Sequence, residues 1–403
     1  MHILLIHQVF VRPSDAGGTR HAEFVRYLAA QGHRVTILAG DRSYLTGSFL
    51  QAPSREELHP GVEIIRCGVR GGGQRSWTSR GAGFLSFMVT AFWAGLRVPG
   101  IDLVWGTSPP LPQAVAAWAV ARLRRVPWVF EVRDLWPEFA IAVGALRNPV
   151  WIWLARSWES FLYRHADRLI LNSPGFVDPV LARGGRRSAI VPIPNGVDPA
   201  MFDPTSNGGD LRIRLGLEGK FVALYAGAHG VSNDLAVVLD AAEHLLTESG
   251  IAFVFVGDGR EKGALVREAI QRSLVNVTFA AAVAKEEMAP VLAAADCGIA
   301  ILQPLPAYRT TYPNKVFDYM AAGRPIVLAM EGPIREVVEG ARAGIGVPPG
   351  DAVALADAVR RLAADRDAAR EMGRRGRRYV EAHFDRSALA RLLEETLQAV
   401  ARG

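Results

Sequence analysis

Lysine is scarce in this chain. Of its 46 Lys and Arg residues only four are lysine: Lys220, Lys262, Lys285 and Lys315. Cysteine is scarcer still. Cys67 and Cys297 alone give no disulfide framework and no metal-ligand spacing, and they fit a reducing compartment. The nine histidines are scattered without an H-x-x-x-H pair or a His/Asp cluster, so no metal site is expected. No Walker A sequence, G-x-G-x-x-G fingerprint or G-x-S-x-G elbow occurs, which counts against P-loop, dinucleotide and serine-hydrolase chemistry. The longest apolar stretch, Phe84 to Val98, runs for about 15 residues and contains Ser, Thr and Gly, whereas a helix needs about 20 to cross a bilayer. The opening "MHILLIHQVF" lacks a basic n-region and a small-residue cleavage site, and reads as a first strand. A soluble, cytoplasmic chain is expected. Net charge is +6, but much of the arginine lies in the last fifty residues, as in "MGRRGRRYVEAHFDR", interleaved with acids as on a solvated helix face. No nucleic-acid-binding motif accompanies it, so no nucleic-acid partner is expected.

What is present is alternation. Strands are expected at Ile3–Ile6, Arg34–Leu38, Val62–Arg66, 102–105, Trp128–Val132 and Leu169–Leu171. Helices are expected over "TRHAEFVRYLAAQGH", within 84–97 and near 112–124. The stretch "VPIPNGVDPAMFDPTSNGGD" (191–210) reads as a linker. The pattern then restarts, with strands at Phe221–Ala226, Ala252–Val256, Val275–Phe279, Gly298–Leu302 and Ile326–Ala329 and a helical tail after about 351. Such alternation predicts two doubly wound α/β domains facing a cleft, with ligands at the carboxyl ends of the strands.

Four stretches carry candidate chemistry. In "PSDAGGTRHAEF", Gly17 and Gly18 let backbone approach a ligand, and Thr19 is placed to cap the next helix. "FEVRDLWPE" sets Arg133 and Asp134 at the end of a strand, either as a reacting pair or as an internal ion pair fixing the loop. "YAGAHGVSNDL" and "FVGDGREKG" are Gly-rich turns after strands. In "YPNKVFDYMAAGRPIV", Asn314 is a cap candidate for a helix over 315–322 that ends at Gly323 and Pro325. Lys315 then lies in the first turn, where its charge has the same sign as the helix N-terminus. That placement is favourable if an anion such as phosphate sits there. The plain alternative is a solvated lysine on an exposed turn.

Taken together, "DAGGTR", "PNGVD", "YAG", "FVGDG" and above all "PNKVFDYMAAGRPIV" resemble retaining glycosyltransferases of the GT-B fold, family 4, and "RDLWPE" is similar to the WbuB-like branch. The resemblance covers essentially the whole chain. It implies an acceptor-side domain over 1–200, a nucleotide-sugar-binding domain over 201–384, and a C-terminal helix over 385–403 packing back toward the first domain. It implies an NDP-sugar donor, with UDP-sugar first among the choices, no cofactor, and a lipid-linked or glycan acceptor in cell-surface polysaccharide assembly. Lys315 and the N–H groups of 315–317 would meet the diphosphate, Asp318 the ribose, and backbone near Val283 the base. Gly17, Gly18 and Thr19 would approach the donor, as would Gly227, His229, Gly257, Arg309, Thr311, Asn314 and Val316. Asp134, Arg133 and Lys315 are the catalytic candidates.

Three positions depart from the family pattern. Thr310 stands where the first acid of the paired-acid motif belongs, and Ala228 and Asn233 stand where a basic pair belongs. Lys315, with Arg309, is the replacement charge on this reading. An epimerase or phosphorylase of the same fold, a nicotinamide-dependent dehydrogenase and an inactive binding subunit are the rival readings. The aromatic and Arg-containing stretches 75–97 and 150–164 suggest contact with an anionic membrane.

Overall fold

The structure is a computed structural model that describes residues 1–42, 48–50, 52–70, 77–206 and 208–402, without the side chains of 77–80. It comprises two compact units. The first contains Met1–Val11, Thr19–Pro194 and Ser387–Gly403, and the second contains Arg12–Gly18 and Asn195–Arg386. The break at Pro194 falls inside the Pro- and Gly-rich stretch.

The first unit is built on strands β1 (His2–Ile6), β2 (Arg34–Gly40), β3 (Arg55–His59), β4 (Val62–Cys67), β5 (Leu103–Ser108), β6 (Trp128–Val132), β7 (Arg168–Leu171) and β8 (Ile190–Pro192). They form one sheet in the order β3-β4-β2-β1-β5-β6-β7-β8, parallel except for the β3–β4 pair. β1 is buried along its whole length, as a strand covered on both faces must be, and so it reads as an unbroken apolar run. One face is covered by the helices Trp77–Arg97, Leu111–Arg124 and Pro149–His165, which bring Phe87, Ala117 and Leu162 into one core. The other is covered by the Arg20–Ala30 and Arg386–Arg402 helices. Leu389, Leu393 and Leu397 of the last helix pack there with Phe24 and Leu28, and His33 Nε2 meets Glu394 Oε1 at 2.9 Å.

The second unit holds β9 (Phe221–Ala226), β10 (Ile251–Val256), β11 (Val277–Ala280), β12 (Cys297–Ile301), β13 (Ile326–Ala329) and β14 (Gly344–Gly346), in the order β11-β10-β9-β12-β13-β14. All pairs are parallel. The chain leaves β9 toward β10 and returns to its other side at β12. The order reverses there, and the loops after β9 and β12 flank the crevice at which such sheets bind ligands. The Arg366–His383 helix stays with this unit, and only the last helix joins the first.

Three expectations need correction. The first helix ends at Ala30, short of Gly32, whose φ of +82° stops it. The stretch 191–210 is more than a linker. It finishes β8, makes a short 3-10 helix at Pro199–Met201 and pairs Val197 with Asp385. Asn314 is not the cap: the helix spans Asn314–Ala321 with Pro313 at the cap position and no side-chain capping bond.

That helix is seated by Tyr319, whose hydroxyl accepts a bond from Ala226 N at 2.8 Å and donates to Ile299 O at 3.3 Å. Gly298 makes room for the ring, since a Cβ there would lie 2.4 Å from it. Gly298→Ala is expected to cost about 1–3 kcal/mol by overpacking. Gly340→Ala, with nothing within 4 Å, should stay within about 0.5 kcal/mol. Thermal or urea unfolding of the two variants checks the difference.

Candidate active site

In the second unit the crevice is built around Lys315. β9 ends at Ala226, and Gly227 turns the chain at φ +144°. A side chain at Gly227 would crowd Lys315, whose Nζ lies 3.2 Å from the place of a Cβ. Lys315 Nζ donates to Tyr225 OH at 2.7 Å and to Asn233 Oδ1 at 3.3 Å, and it lies 3.9 Å from the Tyr225 ring centroid. A cation over an aromatic face gains electrostatically, more so when desolvated. Both hydrogen-bond partners are neutral. Burial holds the Tyr225 phenol well above its usual range, so it keeps its proton and donates to Ala228 O at 2.7 Å. Asn233 Nδ2 donates to the same carbonyl at 3.0 Å. Burial draws the Lys315 ammonium down to about 7, because a cation removed from water without a counter-charge favours its neutral form.

The other predicted donor residues divide into those beside this point and those committed elsewhere. His229 follows the turn and is buried, and both ring nitrogens lack a partner among the described residues. Burial, and then Lys262, lower it to about 4, so its ring is neutral. Gly257 has φ +152°, and a Cβ on it would strike Gly227 O. Val316 is in the core, while Asn314 Oδ1 is buried without a partner among the described residues. Gly18 lies beside the same helix start, where a Cβ would come 3.5 Å from Asn314 Nδ2; Gly17 precedes it with φ +145°. Thr311 is buried and turns its hydroxyl to Tyr308 O, and Thr310 turns its own to Ala307 O. Arg309 is exposed and paired with Glu331 at 2.7 Å. Asp318 is held by Lys285 at 2.6 Å. Val283 packs at the margin of the core.

Sequence reasoning missed Tyr225, Asn233 and Lys285 as parts of this site. The scarcity of lysine was the available signal. Lys262 donates to Gly257 O and Ala280 O, Lys285 to Asp318 and Lys315 to Tyr225, so three of the four lysines converge on the carboxyl edge of one sheet.

In the first unit Arg133 and Asp134 follow β6. Arg133 donates from its backbone to Ser108 O and from its guanidinium to Pro109 O, while its Nε is buried without a partner among the described residues. The Asp134 carboxylate has no hydrogen bond among the described residues. Burial raises its pKa to about 6, against the opposing pull of Arg133. His7, at the end of β1, is buried, both its ring nitrogens lack a partner among the described residues, and burial, His21 and Arg133 hold its pKa well below its usual value. Behind them Glu131 is fully buried. Burial alone would raise its pKa, but His21 and Arg20, each 2.8 Å away, outweigh that and keep it ionised. Trp105 Nε1 donates to it as well, at 3.0 Å. Thr19 stands before the Arg20–Ala30 helix, yet its hydroxyl goes to Glu23 and not to a backbone N–H, which corrects its expected capping role.

Residues 16–196 match the glycosyl transferase 4-like domain, and residues 220–365 match glycosyl transferases group 1. The chain is a glycosyltransferase. It is 26% identical over 426 aligned residues to glycogen synthase of Mycobacterium tuberculosis (strain H37Rv), covering 100% of this chain and 96% of the relative. Among solved structures, sucrose-phosphate synthase from Thermosynechococcus elongatus superposes with a TM-score of 0.79 at 21% identity, covering 99% of this chain and 98% of the other. HepE from Anabaena in complex with UDP and glucose gives 0.74 at 18%, covering 99% and 100%. The two parallel-sheet units of this glycosyltransferase therefore have the GT-B fold.

The state of Lys315 has a measurable consequence. Its folded pKa of about 7 lies below its ordinary 10.5. Between those values the unfolded chain holds a proton that the folded chain has released, so stability rises with pH across that window. The stability of the wild type relative to Lys315→Met, measured by urea unfolding from pH 7 to 10.5, is expected to rise. A flat difference would mean the ammonium is not enclosed.

Proposed function

We propose that this glycosyltransferase moves a sugar, with retention, from a nucleoside-diphosphate sugar to a lipid-linked or glycan acceptor in cell-surface polysaccharide or glycoconjugate assembly. The observation that carries the donor assignment is the Lys315 ammonium in the first turn of the Asn314–Ala321 helix, beside the strand-order reversal and bonded only to neutral groups. A diphosphate at that helix start would receive its N–H groups and the ammonium together. It would also draw the Lys315 proton on. As the glycosidic bond breaks, negative charge grows on the leaving oxygen, and these fixed donors stabilise it. The departing phosphate oxygen takes the acceptor proton, so no external base is required. Arg133 and Asp134 orient the reacting end, and Asp318 contacts the ribose once Lys285 yields. UDP is the first choice of nucleotide, in line with the UDP held by the HepE neighbour. No cofactor is part of this reading.

The acceptor side is proposed to rest on an anionic membrane at the cytoplasmic face. Support comes from Trp93, Trp151 and Trp153, each more than half exposed, on the stretches singled out above. Arg75 and Ser76 of the first stretch lie outside the described residues.

Lys315→Ala should lower turnover about a hundredfold, more than it lowers donor affinity, because the contact strengthens in the transition state. Lys315→Arg should not restore it, since a guanidinium fork does not fit the place of a compact ammonium. Asp318→Asn should raise KM with little change in kcat. Nucleoside-diphosphate affinity of the wild type should fall as pH rises above about 7, the value from which Lys315 loses its proton. Steady-state kinetics and calorimetry decide these points, and near-normal turnover in Lys315→Ala would remove the phosphate role.

A further inference from the structure

The outer side of the first unit's three-helix layer is apolar and carries almost no negative charge. Leu85, Val89 and Trp93 stand one turn apart on the Trp77–Arg97 helix, and Val150, Trp151 and Trp153 open the Pro149–His165 helix, all exposed. The three helices contain one acidic residue, Glu159. It is buried, accepts from Tyr163 and pairs with Arg183. Their basic residues include Arg97, Arg122, Arg124, Arg156 and Arg164.

Beside the Trp77–Arg97 helix, where it lies against the end of β4, is a groove of about 540 Å³ lined by Arg66, Val89, Thr90, Trp93 and Arg97 among others. That volume is in the range of small-molecule sites. Arg66 is set deep. Its side chain is 5% exposed and is fixed by Glu56 and by Gly40 O, while its Nε is buried without a partner among the described residues. Among the described residues Arg97 bonds only to Trp93 O, on its own helix. Two acids stand near the groove: Glu56 is taken by Arg66, and Asp41, beside the lining residue Gly68, accepts from Val69 N at 3.0 Å.

We propose that this groove binds the phosphate headgroup of an anionic bilayer lipid, with Trp93, Val89 and Leu85 entering the interfacial layer beside it. The proposal rests on the membrane reading above and gives it a location. The Arg97 guanidinium, with the Glu56-paired Arg66 behind it, matches a phosphate in shape and charge. An indole flanked by aliphatic side chains suits the headgroup boundary. The apolar strip at the mouth of the groove selects a lipid over a free phosphate, which would leave that strip in water.

Flotation with vesicles of phosphatidylcholine alone, and of phosphatidylcholine with phosphatidylglycerol, tests it. The wild type should float with the anionic vesicles at low salt. Arg97→Gln should weaken that binding about fivefold, the effect of one cation near a charged surface, and leave any binding to neutral vesicles unchanged. Trp93→Ser should weaken both. Arg214→Gln, which removes the same charge from an exposed position of the second unit, should change neither. Calorimetry with UDP should give Arg97→Gln the affinity of the wild type, which separates this site from the donor site. Equal losses in Arg97→Gln and Arg214→Gln would overturn the groove and leave diffuse membrane attraction standing. Failure of the wild type to float with either vesicle would overturn both.

Discussion

A half-buried ammonium whose hydrogen-bond partners among the described residues are all neutral governs the second unit. Lys315 is held by a phenol ring, its hydroxyl and an amide oxygen. Much of the surrounding backbone follows from keeping it there. Gly227 takes a φ of +144° that favours glycine and packs tightly on Lys315, and a Cβ on Gly257 would strike the carbonyl oxygen of Gly227. Tyr319 ties the lysine's helix to the last residue of β9, and Gly298 leaves room for Tyr319. Each of these glycines leaves room for a different part of the assembly: the Lys315 ammonium, the Gly227 carbonyl and the Tyr319 ring.

The first unit handles buried charge in the opposite way. Glu131 is more deeply enclosed than Lys315, yet Arg20, His21 and Trp105 saturate it, and Arg20 continues to the carbonyls of Ile193 and Pro194 at the end of the last strand. A carboxylate so compensated is a structural tie, and removing one partner would leave an unpaired charge in the core. The contrast separates structure from function better than burial alone. The compensated cluster closes a fold, whereas an uncompensated cation has an electrostatic deficit that an anionic ligand can fill.

The long parallel strands were legible because burial on both faces leaves an unbroken apolar run. Trp128–Val132, Phe221–Ala226 and Ile326–Ala329 match their strands end to end. β3 was not legible. "REELH" is a polar edge strand, paired antiparallel on one side only. β8 and β14 are three residues each, too short for any period to show. At the site, Lys315 stood out by its rarity and by its place in a helix's first turn. Its partners did not, because Tyr225 and Asn233 lie 90 and 82 residues away in sequence and meet it only through the sheet order. Asp318 was legible as a polar residue on the right helix. Its bond to Lys285 depends on a loop 33 residues earlier and left no local trace.

The energetics of such a site follow from the same asymmetry. A lysine held near a pKa of 7 is kept partly neutral by its surroundings, and the empty protein gives up stability to hold it there. A ligand that binds only the folded state and supplies the missing negative charge returns that stability on binding. The more the helix start and the ammonium are pre-set in the empty protein, the less must be reorganised when charge appears on the leaving group. Lys315 is thus costly to the resting fold for the reason that makes it effective in transfer: its nitrogen is positioned before the anion arrives, bonded among the described residues to neutral groups, and the anion completes its charge.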